Sequence, residues 1–106
     1  MIKKYWNDFV REYPYASSAP HLALSFEEYC RRRKIKLSKW HNYVGDFVDT
    51  VTQTSTTKIN YRRTLRELCA FLCRVKGVEQ AEDEINDVYI LHKDGSYEKK
   101  EDVRNE

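Results

Sequence analysis

Six basic side chains fall within nine consecutive positions, 31 to 39, with no acidic residue among them. Guanidinium and ammonium groups at this density attract polyanions, above all the phosphates of nucleic acids. The net charge of the 106-residue chain is only +2, so an anion-binding function must depend on this local concentration. The alternative is an ordinary solvated, salt-bridged surface. The six residues are Arg31, Arg32, Arg33, Lys34, Lys36 and Lys39.

The remaining charges are also unevenly distributed. A second basic run lies between residues 62 and 76, and residues 79–87 carry five acidic and no basic side chains. This polarity is typical of a protein with one anion-facing side. It is also compatible with a protein–protein interaction module without nucleic-acid binding, in which the two charged segments bind protein partners or each other.

Other chemistry has less support in the sequence. His21, His41 and His92 lie in three separate segments, and none has a neighbouring nucleophile or base in a catalytic pattern. Cys69 and Cys73 are one helical turn apart, but no nearby residue completes the roughly four ligands of a structural zinc. The isolated glycines do not form a phosphate-binding loop. We therefore predict no enzymatic activity, no catalytic residues, no metal and no cofactor.

Composition predicts a folded soluble protein. Hydrophobic residues make up 41% of the chain and charged residues 34%, which is sufficient for one core with a solvated surface. Residues 1–49 and 57–106 are expected to pack together as one domain. No stretch approaches the ~20 apolar residues of a membrane helix, and the first ten residues do not resemble a signal peptide. With an odd number of cysteines, the chain is predicted to be cytoplasmic with free thiols.

Hydrophobic spacing predicts short helices before residue 50. A helix over 2–13 ends at Pro14, and a loop covers 15–21. Ser25 is a candidate N-cap for a helix over 26–33, and Ser38 is a candidate N-cap for the next helix. That helix has Trp40, Tyr43, Val44, Phe47 and Val48 on one inward face.

A longer helix follows a Thr-rich linker over 50–57. It is predicted over 58–76, ending at Gly77, and Asp94–Gly95 predicts the turn of a small C-terminal β-hairpin. The fold class is therefore mainly α: a three-helix helix-turn-helix-like bundle, a long fourth helix and this hairpin. The long helix is predicted to bury a stripe of side chains, which Cys69, Phe71 and Cys73 widen. The stripe consists of Tyr61, Leu65, Leu68, Leu72 and Val75.

The predicted helices on either side of residues 34–37 form a helix-turn-helix pair, and the second of them, which starts near Ser38, is expected to enter the major groove of DNA. If Trp40 and Tyr43 face the core, the polar residues at the start of this helix point outward. Asn42 can then read adenine, and Lys39 can reach guanine or phosphate. The basic residues from Arg31 to Lys36 are expected to contact phosphates without reading sequence. The groove-facing residues are Ser38, Lys39, His41 and Asn42.

The run from Ser25 to Tyr43, SFEEYCRRRKIKLSKWHNY, resembles the N-terminal helix-turn-helix of insertion-sequence transposases and their small accessory proteins. The resemblance covers about residues 4–48. Lys34 stands where that family has a turn glycine, so it must adopt a left-handed or near-bridge conformation, and Tyr43 stands where tryptophan is common. The residues that match are Ser25, Tyr29, Cys30, Ile35, Ser38, Trp40 and Tyr43.

The resemblance implies a small DNA-binding protein of transposase-accessory type. The chain is too short for a nuclease domain with a spaced Asp, Asp, Glu triad, so the resemblance implies the binding function without the nuclease. The implied partner is double-stranded DNA. The long helix is expected either to complete the core or to provide a homodimer contact through leftover apolar surface such as Phe71 and Leu72.

Overall fold

The computed structural model describes residues 1–79, 89–91 and 97–99, and this part of the chain is mainly helical. The helices α1 to α4 pack around a single core, and two 3₁₀ segments connect them. The α-helices are α1 (Ile2–Glu12), α2 (Pro20–Arg32), α3 (Val44–Val51) and α4 (Ser55–Lys76), and the 3₁₀ segments are Pro14–Ser18 and Leu37–Tyr43.

Two short strands lie near the carboxyl end. Strand β1 (Tyr89–Leu91) pairs antiparallel with β2 (Tyr97–Lys99), and Ile90 stands opposite Glu98. The Asp94–Gly95 turn lies outside the described residues, so the hairpin as a whole stays a prediction. Most of the acidic 79–87 segment lies outside them as well.

The long helix α4 is the centre of the fold and contacts each of the other three helices. The predicted stripe is confirmed at Leu65, Leu68 and Leu72, which are buried together with Cys69, Phe71 and Cys73. Burial on both flanks of the stripe follows from this central position, because neighbours cover more than one side of the helix. Val75 was predicted to be buried but is 43% exposed. It lies in the last turn of α4, just before the helix ends at Gly77.

Phe71 and Leu72 of α4 do not form the exposed surface that a dimer contact would require. Phe71 is 4% exposed and the Leu72 side chain is fully buried, so both belong to the core. The Phe71 ring packs against Phe9 of α1 with ring centroids 5.5 Å apart. Helix α4 thus completes the core of the protein instead of leaving these residues for a partner.

Helix α2 begins earlier than the sequence pattern indicated. Its first residue is Pro20, and Ser25 lies inside the helix instead of capping it. Proline is well suited to a first helical position, because its φ is already helical and its missing N–H would have no partner inside the helix. The predicted 15–21 loop is therefore a 3₁₀ turn followed by the start of α2. The additional turn buries Ala23 beside Phe26.

The Thr-rich linker is also shorter than predicted. Helix α3 continues to Val51 and α4 starts at Ser55, which leaves only residues 52–54 between them. The Thr54 N–H donates to the Thr52 side-chain oxygen at 3.2 Å, and Lys58 pairs with Asp49 at 3.3 Å. These contacts link the end of α3 to the first turn of α4.

Glu27 connects the start of α1 to the middle of α2. The Ile2 N–H donates to one carboxylate oxygen at 3.1 Å, and Arg31 Nε donates to the other at 2.8 Å. The Met1 amino group lies 3.2 Å from that second oxygen. Burial by itself raises the pKa of Glu27, but these hydrogen bonds and the nearby positive charge outweigh it and lower the pKa below its usual value of 4.5.

We expect Glu27→Gln to destabilise the protein by about 1–3 kcal/mol at pH 7, because it removes charge-assisted hydrogen bonds at a buried group. A lowered folded-state pKa means that this stability is present above the unfolded-state pKa and is lost as the pH falls through the folded value. Urea unfolding at pH 7, 5 and 3 should therefore show the difference between the two proteins narrowing below about pH 4.5.

Glu28→Gln is the matched control. The exposed Glu28–Arg32 pair should contribute less than about 1 kcal/mol at any pH. A Glu27→Gln difference that stays constant from pH 7 to pH 3 would contradict the assignment.

A buried arginine joins α3 to α4. Arg62 is 1% exposed and is the largest of the fully buried side chains. Its guanidinium packs directly against the Cα of Gly45, and a Cβ at position 45 would overlap Nη1. Gly45 therefore lies within a helix because Arg62 occupies the space that a side chain would need.

Gly45→Ala is expected to destabilise the protein by about 1–3 kcal/mol, the usual cost of overpacking. Glycine-to-alanine changes inside a helix ordinarily stabilise by up to ~1 kcal/mol, so the sign itself is informative. Chemical unfolding of Gly45→Ala, Arg62→Met and the double variant measures the coupling. Gly45→Ala should reduce the free energy of unfolding much less when Arg62 is already methionine. A Gly45→Ala protein as stable as the wild type would contradict the steric account.

Candidate nucleic-acid interface

The predicted turn between the two short helices has a defined geometry. Two hydrogen bonds close it: Ile35 N–H donates to the Cys30 carbonyl, and Lys34 N–H donates to the Arg31 carbonyl, both at 3.0 Å. This pair of bonds is the Schellman arrangement at the end of α2. The basic residues on both sides of it, 31–34, 36 and 39, are called the basic turn below.

Lys34 occupies the left-handed position of this turn with φ 57°, which confirms the expectation from the sequence. The same arrangement ends α4, where Gly77 has φ 67° and Val78 N–H donates to the Cys73 carbonyl. Glycine adopts this conformation without a steric penalty, whereas a residue with a Cβ loses about 1–2 kcal/mol. The basic turn therefore places a lysine where glycine would be the more stable residue.

Trp40 holds the turn on the core. Its indole N–H donates to the Ile35 carbonyl at 2.9 Å, and its ring meets Phe26 edge-on with centroids 6.0 Å apart. Phe47 of α3 packs against both Phe26 and Tyr29 of α2. The inward orientation predicted for Trp40 is confirmed, since it is 2% exposed.

The element that carries Trp40 begins as a 3₁₀-helix. Residues Leu37–Tyr43 are 3₁₀, α3 starts only at Val44, and the residue before the 3₁₀ segment is Lys36. The predicted cap at Ser38 is therefore wrong. A 3₁₀-helix has about 3 residues per turn, so side chains three apart share an edge. Lys36 and Lys39 are exposed on the outward edge, whereas Asn42, three residues further on, is half-buried with its side-chain oxygen enclosed.

Two residues of the 3₁₀ segment have the opposite orientation from that expected. His41 was expected to point outward but is 2% exposed, and Tyr43 was expected in the core but is 36% exposed. His41 lies three residues after the half-buried Ser38 and three before the fully buried Val44 of α3, in line with its inward orientation. The same period places Tyr43 on the edge of Trp40, so it does not account for the exposure of Tyr43. Neither ring nitrogen of His41 has a hydrogen-bond partner within the described part of the chain.

The arginines of the basic turn are already engaged. Arg31 pairs with Glu27 and Arg32 with Glu28, each one helical turn apart. The guanidinium carbon of Arg33 lies 3.7 Å from the ring centroid of Tyr29. All three side chains remain exposed. They are thus held at the surface by neighbours on α2.

The three lysines of the basic turn are different. Lys34, Lys36 and Lys39 are exposed, and none has a carboxylate within salt-bridge distance among the residues that the structure describes. Within the part of the chain that the structure describes, an external anion therefore meets three lysines without acidic partners beside the arginines.

Two groups that organise this surface were missed in the sequence. Glu27 and Tyr29 each lie four residues before the arginine they contact, and this i,i+4 spacing is the signal that identifies them. Neither contacts an external anion in this arrangement; both position a guanidinium.

The cysteines near this surface are buried thiols. Cys30, Cys69 and Cys73 are buried thiols that form no disulfide, as predicted for core residues. Burial raises the pKa of the Cys30 thiol to about 12, despite the opposing charge of Arg33. Within the described part of the chain, no group of three His, Cys, Asp or Glu residues could hold a metal ion, and no helix is long and apolar enough to cross a membrane.

The chain matches no protein-family model, no curated protein and no solved structure. The resemblance to transposase accessory proteins therefore stays a prediction from residues 25–43.

Lys34→Gly is expected to stabilise the protein by about 1 kcal/mol, because glycine relieves the left-handed strain. Urea unfolding measures the change. Lys36→Gly is the matched control: Lys36 has φ −66°, so the same substitution should give no gain or a small loss. If both variants change stability equally, the strain at Lys34 has no energetic consequence.

Proposed function

We propose that this chain is a small helical protein that binds double-stranded DNA through the basic turn. The observation that carries the proposal is the set of three exposed lysines without acidic partners in the described residues, placed beside three exposed arginines. Lys34 adds a second argument. A strained residue persists where its side chain has a use that offsets the lost stability, and an anion contact is such a use.

Phosphate contacts account for most of the proposed affinity. Lys34, Lys36 and Lys39 approach phosphates as point charges, and an arginine can exchange a weak exposed ion pair with Glu28 for a bidentate phosphate contact. Such contacts release counterions, so binding should weaken steeply with salt. They carry no sequence information by themselves.

Reading of the major groove is the finer part of the proposal. Lys39 is exposed on the outward edge of the 3₁₀ segment and is the residue best placed to reach base edges. The Asn42 side-chain oxygen is buried, so this side chain must turn outward before its amide can read adenine. Ser38 is half-buried, and His41 faces the core, so the base-reading set is narrower than the four residues expected from the sequence. The proposal includes a transposase-accessory role and a homodimer. The dimer contact would lie on a surface other than Phe71 and Leu72.

We expect labelled duplex DNA to bind with a log-affinity slope of about −3 to −4 against log salt, corresponding to about four phosphate contacts. Replacing Lys34, Lys36 and Lys39 together by alanine should reduce the magnitude of the slope by about 3 and abolish most binding at moderate salt. Fluorescence anisotropy over a salt series measures both quantities.

A triple variant of Lys3, Lys4 and Arg11 on α1 is the control. It removes the same net charge from exposed residues outside the basic turn, so it tests whether position matters more than total charge. If both triple variants lose DNA affinity equally, the proposal of a defined DNA site is rejected. Absence of salt-dependent binding by the wild type would favour the protein–protein interaction module instead.

Lys39→Ala combined with Asn42→Ala tests groove reading separately. Because Lys39 also contacts phosphate, we expect this double variant to bind unrelated duplexes with a salt slope smaller in magnitude by about 1. It should lose discrimination among duplexes selected by the wild type, with roughly 1–3 kcal/mol lost per base contact. Selection of duplexes from a random pool by both proteins measures this. Identical selected sequences would reject groove reading and leave only phosphate binding.

A further inference from the structure

A polar groove lies between the first 3₁₀ segment and the start of α4, at a distance from the basic turn. Its volume is about 380 Å³, within the roughly 300–1,000 Å³ of small-molecule sites. It is called the Arg63 groove, and its lining residues are Tyr15, Ser18, Asn60, Tyr61, Arg63 and Thr64.

The groove is separate from the proposed DNA contact. Cys73 of α4 contacts Leu37, at the start of the second 3₁₀ segment, through its Sγ and the Leu37 carbonyl. Arg63 is ten residues earlier on α4, which corresponds to about 15 Å along the helix. A ligand in the groove therefore does not require the basic turn, and the inference does not depend on the DNA proposal.

Arg63 is held in position for anion binding. Its guanidinium carbon lies 4.2 Å from the ring centroid of Tyr15, and the Tyr15 ring meets Tyr13 edge-on at 6.2 Å. Tyr13 in turn packs against the buried Phe9, with centroids 5.0 Å apart. Stacking covers one face of the guanidinium, and a side-chain hydrogen bond also joins it to Tyr15. A guanidinium has five N–H donors, so the remaining ones can form a bidentate bond to an oxyanion. The chain of rings reduces the entropy that the arginine loses on binding.

The other lining groups can bind the remainder of a larger ligand. The Ser18 hydroxyl and the Asn60 side-chain amide are exposed and can both donate and accept hydrogen bonds. The Thr64 hydroxyl already donates to the Asn60 carbonyl at 3.0 Å, so toward a ligand it acts as an acceptor. Tyr61 contributes a half-buried ring, which suits a flat aromatic group.

The charge around the groove favours a ligand with one anionic group. Burial raises the pKa of the Tyr15 phenol, Arg63 opposes the rise and Glu67 adds to it. Tyr15 is therefore a neutral phenol near pH 7 and does not repel an anion. The Glu67 carboxylate is close enough to act on Tyr15, so it would weaken binding of ligands with many negative charges.

We propose that the Arg63 groove binds a single nucleotide unit, with its phosphate on the Arg63 guanidinium and its base against the Tyr61 ring. A free nucleoside monophosphate and a nucleotide at the end of a nucleic-acid strand share this chemistry. A bare phosphate uses only the arginine and leaves the ring and the amide of the groove without a partner.

Amide chemical shifts of the full chain, followed during titration with adenosine monophosphate at millimolar concentrations, test the proposal. Ser18 and residues 60–64 should shift, and the nucleotide should bind at least about tenfold more tightly than inorganic phosphate. Arg63→Met should weaken binding about tenfold or more, because it removes a charge-assisted bidentate bond. Arg63→Lys keeps the positive charge but cannot form the bidentate bond, so its affinity for the nucleotide should lie between those of the wild type and Arg63→Met.

Arg11→Met is the control, since Arg11 is an exposed arginine of α1 that pairs with Asp8, and its loss should leave nucleotide binding unchanged. Tighter binding of a short single-stranded oligonucleotide than of the monophosphate assigns a strand end as the ligand, and weaker binding assigns the free nucleotide. No shift in the groove, equal affinity for inorganic phosphate, or an unaffected Arg63→Met variant would overturn the proposal.

Failure of this proposal can be distinguished from failure of the DNA proposal. Arg63→Met should keep the wild-type salt slope on duplex DNA, and the triple lysine variant of the basic turn should keep wild-type affinity for adenosine monophosphate.

Discussion

The hydrogen bond from the Trp40 indole to the Ile35 carbonyl is the contact on which the proposed interface depends. It forces the chain to return to the core immediately after the turn, with the indole lodged against Phe26. Residues between the end of α2 and Trp40 must then cross the surface in a short exposed arc, and this arc contains most of the basic turn. By packing against the core, Trp40 thus places the neighbouring basic residues on one defined surface.

The helix type after the turn follows from the same anchor. Trp40 is fixed only seven residues after Arg33, and the intervening chain includes the left-handed Lys34. A 3₁₀ segment has a longer rise per residue than an α-helix, so it spans the distance from the turn to α3 with fewer residues. Its threefold period places Lys36 and Lys39 on one exposed edge, while His41 lies in the core. Surface chemistry at this site is therefore decided by backbone geometry as much as by residue type.

Helix α4 provides the second constraint, because it contacts each of the other three helices. Arg62 fits against α3 only because position 45 has no side chain, and Arg63, the next residue, points away to stack on Tyr15. Two adjacent arginines on one helix consequently have different surroundings: one is enclosed in the core and the other borders an open polar groove. The approximately 100° step between neighbouring helical residues is the reason.

Sequence alone determined those features that depend on local periodicity and backbone chemistry. These include α1 and its end before Pro14, most of the buried stripe of α4, and the inward orientation of Trp40. Each follows from residues within one or two turns of each other. Only the tertiary structure decided where α2 begins, that the element after the turn is 3₁₀, and that His41 rather than Tyr43 is buried. Those outcomes depend on which distant surfaces meet, since the packing of α2, α3 and α4 around Trp40 selects among local conformations of similar energy.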